Sequence, residues 1–157
     1  MILAKEKFDK NINNNGHKVI VKHSDKKVHC NCYEKDNKNK CYKCFNTGWK
    51  YDSYITKTRR SKKGAGSLTG DGLEKKEAFN LYANSYKYYF KTDDIVTVED
   101  FIIEFNQNDL KLFYVRNYDL KTGQKGIDVY NEVYANRVIL DKDILETSFL
   151  DIIEQSS

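Results

Sequence analysis

Apolar and polar residues alternate over short stretches through most of this chain, and apolar residues fall at helical spacing only near its two ends. Met1 to about Asn13, with Ile2, Leu3 and Phe8 partly on one side, predicts a short helix that the run "NINNNG" ends. "HKVIVKH" (His17–His23) predicts a strand, and "KYDSYITKTRR" a weaker one carrying Tyr51, Tyr54 and Ile55. Further strands are expected at Tyr86–Thr92, Ile95–Val98, Phe101–Phe105, Lys111–Arg116 and Ile127–Leu140. Turns fall at "NQND" and at "DLKTGQKG", a longer hairpin loop holding Gly123 and Gly126. Alternation such as Ile127 and Val129 around Asp128 suits strands with one solvated face. "LEKKEAFNLYANS" (Leu73–Ser85) reads as a brief helix or an irregular lead-in. The last segment, "DKDILETSFLDIIEQ", predicts a helix capped by Asp141 or Asp143, with Ile144, Leu145, Phe149, Ile152 and Ile153 as an apolar stripe packing on the strands.

The expected fold class is therefore mainly β, a small antiparallel barrel or sandwich with a short C-terminal helix. A chain of 157 residues can bury a core of its own and suits one domain overall. Its parts are expected to be residues 1–57 (helix plus hairpin), 58–72 (a basic, Gly-rich flexible loop) and 73–157 (the barrel-like part). No apolar run approaches the roughly 20 residues of a membrane span. The N-terminus returns to charge too early for a signal peptide, so a soluble protein made inside a cell is expected.

All four cysteines lie between residues 30 and 44, spaced Cys30-x-Cys32, eight residues, Cys41-x-x-Cys44. Two close pairs joined by the polar loop "YEKDNKNK" are what a tetrahedral cation needs: each pair supplies two thiolates from one turn, and the loop returns the second pair to the first. Four sulfurs around zinc leave no open coordination position, so such a site is structural. Paired disulfides and redox thiols are the alternatives. A reducing compartment disfavours the first, and no thioredoxin-like unit surrounds the Cys-x-x-Cys for the second. With all four cysteines as ligands, the predicted strands on either side make a zinc-clamped β-hairpin. Gly48 permits a positive-φ turn after it, and Phe45 and Trp49 could cover the site and dock it. His17, His23 and His29 are expected outside the ligand set.

Charge divides unevenly. Residues 1–72 carry 17 Lys+Arg against 7 Asp+Glu, a net of +10, and residues 73–157 carry 10 against 16, a net of −6. The first half thus suits an anionic partner or another copy's acidic half. Arg59, Arg60, Lys62 and Lys63, just before four glycines, are candidate phosphate contacts, although a solvated linker would look the same. The acidic residues Asp93, Asp94, Glu99 and Asp100 sit near a predicted turn, where solvation is the expectation. Neither a nucleophile elbow, a His-Glu-x-x-His pair nor a phosphate loop occurs in the sequence. No catalytic residue is assigned, and the chain is not expected to be an enzyme.

Two stretches carry a family resemblance. "CNC…CYKCFNTGWKYDSY" resembles a Cys-x-Cys…Cys-x-x-Cys-[aromatic]-x-Thr-Gly segment of certain tailed-phage virion proteins, where it runs into a tyrosine-bearing strand. "YYFKTDDIVTVEDFIIEFNQNDLKLFYVRNYD…VYNEVYANRVIL" is similar in layout to the small β-barrel of phage head-to-tail connector proteins of the stopper or head-completion type. Here Val98-Glu99-Asp100 stands where a Pro-Gly-Asp turn is common in that family. The resemblance implies a structural subunit of the virion neck, assembled in the host cytoplasm. Its copies would form a six- or twelve-fold ring between portal or adaptor and tail proteins, with genomic DNA in the bore and no membrane partner. The alternative expectation is a zinc-ribbon nucleic-acid-binding protein using the Arg59–Lys63 arm.

Overall fold

The computed structural model describes residues 4–31, 41–45, 47–61, 85–105, 109–123 and 125–156. Helix α1 (Ala4–Asn15) is followed by strands β1 (His17–His23), β2 (Asp52–Ser61), β3 (Ser85–Lys91), β4 (Phe101–Glu104), β5 (Lys111–Thr122) and β6 (Asp128–Val138), with the second helix, α2 (Lys142–Ser156), last. The strands close into an antiparallel barrel in the order β1-β2-β3-β6-β5-β4. The protein is mainly β, as expected, with a short C-terminal helix. Among the described residues no helix is long and apolar enough to cross a membrane.

Alternation builds two cores from the same strands. Val19 and Val21 of β1, Tyr88 and Phe90 of β3, Ile102 of β4, Phe113 and Val115 of β5, and Val133 and Ala135 of β6 fill the interior. Ile20, Phe101, Ile103 and Leu112 point the other way and are covered by Leu145 and Ile152 of α2 and by Phe45. β1 and β4 are therefore buried on both faces, which is why they read as unbroken apolar runs. Each such side chain fully removed from water contributes about 1.5–3 kcal/mol. Asp141 caps α2, its Oδ1 accepting from the Asp143 N–H at 2.9 Å. At the other end, Phe8 of α1 stacks on Tyr130 with ring centres 4.9 Å apart. Gly16 closes α1 where a Cβ would lie 2.6 Å from the Ile12 carbonyl oxygen, so only glycine fits.

Three sequence expectations are corrected. Ile95–Val98 is not a strand: it belongs to the turns before β4, Ile95 is exposed, and only Val96 reaches the interior. "DLKTGQKG" is not all loop, because β5 runs on to Thr122 in register with β6 and the chain reverses at Gly123–Ile127, with Gly126 at φ 71°. Its polar residues mislead because β5 is exposed on both faces from Arg116 to Leu120. The flexible loop does not begin at residue 58: Thr58–Ser61 complete β2, Arg59 pairs with Tyr89 in the ladder, and the buried Thr58 hydroxyl donates to the Tyr89 carbonyl at 2.8 Å. Lys62–Gly72 and the Leu73–Asn84 lead-in lie outside the described residues.

Candidate metal centre

β1 and β2 pair antiparallel from His17↔Thr58 to His23↔Asp52, and the cysteine segment fills the turn between them. A short extension of the hairpin, with a His29↔Trp49 bridge and bonds from Cys30 N–H to the Gly48 carbonyl (2.8 Å) and from Lys50 N–H to the Val28 carbonyl (2.8 Å), positions Cys30. Cys41 and Cys44 flank a single tight turn in which the Phe45 N–H reaches the Cys41 carbonyl at 3.1 Å. The chain then reverses through Phe45 at φ 51° and Gly48 at φ 84°, and the Thr47 hydroxyl donates to the Cys44 carbonyl at 2.8 Å.

This geometry brings three of the four predicted ligands together. The sulfurs of Cys30, Cys41 and Cys44 all lie within 4.8 Å of one another, a cluster able to hold a metal ion. Cys30 and Cys44 are buried. Cys30 and Cys41 are 3.7 Å apart, far beyond the roughly 2.05 Å of a disulfide. Cys32 lies outside the described residues. The histidines fall elsewhere: His29 stacks on Trp49 (ring centres 4.5 Å apart), His23 meets Asp100 and His17 meets Glu104. Phe45 docks the loop, packing edge-on against Phe101 with ring centres 5.0 Å apart.

Lys22 is a buried residue beside the cysteine loop, not among the site residues expected from sequence. It shares the outer face of β1 with Ile20, and with α2 lying over that face it is only 3% exposed. Its ammonium donates to the carbonyl of Lys43 (2.6 Å), to that of Tyr42 (3.5 Å) and to the Ser148 hydroxyl of α2 (3.2 Å). Burial pushes its pKa down to about 8, opposed by the thiols of Cys44, Cys41 and Cys30. The signal was available: strict alternation in "HKVIVKH" puts Lys22 on the same side as Ile20.

Two buried carboxylates hold the barrel ends. Asp100, fully buried, accepts from His23 Nδ1 (2.7 Å), from the Thr97 N–H (2.8 Å) and from the Ser24 N–H (3.2 Å). Burial raises its pKa against these bonds. The expectation that the acids around it are solvated is thus wrong for Asp100, because the turn before β4 folds it back onto the barrel. Glu104 takes Arg60 (2.9 Å), Tyr88 (3.0 Å) and His17 (3.3 Å). Burial alone would raise the Glu104 pKa. The His17 and Tyr88 hydrogen bonds and the Arg60 charge outweigh it and hold the carboxyl below its usual range.

Of the predicted phosphate contacts, Arg59 is exposed on β2. Arg60 is partly buried, its guanidinium paired with Glu104 and lying 4.9 Å from the centre of the Tyr86 ring. Lys62 and Lys63 lie outside the described residues. No protein-family model matches this chain, and no curated protein matches it significantly.

Proposed function

We propose that the chain is a structural protein of a tailed-phage neck, its barrel one wall segment of a ring and its hairpin tip stiffened by one zinc ion. Cys30, Cys32, Cys41 and Cys44 are the ligands. The observation that carries the metal is the 3.7 Å between the Cys30 and Cys41 sulfurs: thiolates about 2.3 Å from a tetrahedral zinc stand about 3.8 Å apart. When bound, zinc supplies folding energy to a polar loop that has little core of its own. The side chains around it do the rest, Phe45 anchoring the loop to the barrel and Lys22 tying it to α2.

The neck assignment draws support from the barrel itself, which is the architecture the family resemblance implies. At Val98-Glu99-Asp100, Glu99 adopts φ 71°, the conformation a glycine would take in the Pro-Gly-Asp turn common in that family. Heterologous contacts between a basic and an acidic half close a ring when the rotation per copy divides the circle. Metal analysis of the purified chain is expected to return one zinc per copy. Mixing with portal and tail components is expected to give ring particles by electron microscopy, and mass spectrometry to find the chain in virions. A monomer in every mixture, absent from virions, would remove the reading. The nucleic-acid reading is weakened by Arg60 being paired with Glu104. It would return if DNA or RNA bound with a steep salt dependence that Arg59→Glu abolished.

A further inference from the structure

Strand β5 outruns its neighbour. β4 pairs with it at Lys111–Tyr114, and the turn before β4 adds one rung at Val115, through Val115 N–H to the Asp100 carbonyl and Glu99 N–H to the Val115 carbonyl, both 2.9 Å. From Asn117 to Thr122, among the described residues, only β6 accompanies it. Three of the exposed large apolar side chains lie on this ribbon: Tyr118, Leu120 and Ile127. β6 is itself backed by β3 from Tyr130 to Tyr134, so β5 is the open edge of a three-stranded sheet here, and a bare strand edge is a template for another strand.

The register of that edge is readable. Arg116 is the extra residue of a bulge between Val115 and Asn117, and the later irregularity falls on the β6 side, where Lys121 pairs with Tyr130 and Thr122 with Asp128. From Asn117 onward alternation is therefore intact. Tyr118, Leu120 and Thr122 share one face and Asn117, Asp119 and Lys121 the other, with Lys121 Nζ 2.8 Å from Asp119 Oδ2 and 3.7 Å from Glu132.

We propose that this edge pairs with the same edge of a second copy, antiparallel about a two-fold axis at Leu120. A two-fold axis normal to the sheet keeps each residue on its own face, so one-residue slips are excluded. Centring on Asp119 would oppose two carboxylates, and centring on Lys121 two ammoniums. Centring on Tyr118 sets Asp119 against Asn117 and forgoes both charge pairs. Only the Leu120 register sets Asp119 against the second copy's Lys121 twice, Leu120 against Leu120, and Tyr118 against Thr122. Opposite charges and matched apolar pairs stabilise directly opposed positions, and like charges destabilise them. Edge to edge, the β3-β6-β5 sheets of two copies become one six-stranded sheet. This pairing of like edges is independent of the virion reading, which uses unlike faces.

Sedimentation of the purified full-length chain across a concentration series tests it, with circular dichroism confirming the fold of each variant. The wild type is expected to dimerise. Asp119→Lys, an exposed change, is expected to weaken the dimer at least about tenfold by opposing ammoniums, and the swap Asp119→Lys with Lys121→Asp to restore it. A wild type that stays monomeric overturns the proposal, as does a dimer indifferent to Asp119→Lys or a folded swap variant that fails to recover. Larger closed assemblies insensitive to Asp119→Lys would overturn it too, while leaving the neck reading standing.

Discussion

The Lys22 ammonium sits 4.1 Å from the centre of the Phe45 ring, so this buried cation is held by the same side chain that docks the cysteine loop to the barrel. A buried ammonium bonded to neutral oxygens needs negative charge nearby to be tolerated. A metal bound by four thiolates carries net negative charge and supplies it. Lys22→Met is therefore expected to weaken zinc affinity by about 10–100-fold, the usual cost of losing a supporting group around a metal site. Lys22→Arg should recover part of the loss. Chelator competition on folded variants measures this. Unchanged affinity in the Met variant would mean that the charge plays no part at the metal.

Chelation should act locally. The barrel interior is built without the cysteine loop, from Val19 through Ala135, whereas residues 41–45 rest on one short turn, the Phe45 anchor, the Lys22 bonds to the Tyr42 and Lys43 carbonyls and the sulfurs. Metal removal is expected to abolish amide protection at residues 28–31, 41–45 and 47–50 while β4, β5 and β6 stay protected, a pattern hydrogen exchange resolves. Uniform loss of protection would show that the loop and barrel fold as one unit.

How legible the fold was depended on whether local pattern and tertiary environment agreed. His17–His23 and Lys142–Ser156 were plain because their apolar spacing matches the faces they bury. Ile95–Val98 misled since its apolar residues serve as a turn and a single plug, Val96. The cysteine cluster could be read from spacing alone, because chelation by close pairs is a short-range demand. Spacing marks neither Lys22 nor Glu104 and points to solvation for Asp100, since what makes each notable is a partner brought by the fold from far along the chain, as with His23 and Asp100 or Arg60 and Glu104.

Glu104 gives a pH-dependent prediction. Its carboxyl is held below the usual range, so it binds protons less readily folded than unfolded. The resulting stability is present above the unfolded carboxyl value, about 4.3, and is lost as pH falls through the lower folded value. Glu104→Gln is expected to cost about 2–3 kcal/mol at neutral pH, because Arg60 and Tyr88 lose a charged acceptor in a buried site. The gap between wild type and variant should shrink on acidification below that point. Urea titrations at several pH values measure it, and a gap constant with pH would contradict the ionised network.

The Cys32 position can be tested against His29 directly. Among the described residues three sulfurs converge, and a closed tetrahedral site needs a fourth donor. Spacing assigns it to Cys32, whereas the His29 ring lies flat against Trp49, 12° from parallel. Cobalt substitution distinguishes them, because each thiolate adds sulfur-to-metal charge-transfer intensity. Cys32→Ser is expected to lower that intensity by about a quarter and weaken binding, while His29→Ala should leave the spectrum of a four-sulfur site intact. The reverse outcome would make His29 the ligand.

Glu99 offers a test of backbone strain. It holds φ 71° at the third position of a turn closed by Asp100 N–H to the Thr97 carbonyl at 3.2 Å, a conformation costing an L-residue about 1–2 kcal/mol and glycine almost nothing. Against this stand the Lys26–Glu99 ion pair, partly exposed at 3.1 Å and worth about 0–1 kcal/mol, and the extra chain entropy of glycine, about 0.5–1 kcal/mol. Glu99→Gly is thus expected to lie close to neutral, within about 1 kcal/mol of the wild type, because the relieved strain offsets the lost ion pair and the added entropy. Tyr51 donates to the Glu99 carbonyl at 3.0 Å, so the same turn also braces the strand leaving the cysteine loop. Melting curves of wild type, Glu99→Gly and Glu99→Ala separate the contributions. Alanine keeps the strain and loses the ion pair, so it should fall below both; alanine more stable than glycine by the roughly 0.5–1 kcal/mol of glycine's entropy would mean that φ at this turn carries no penalty.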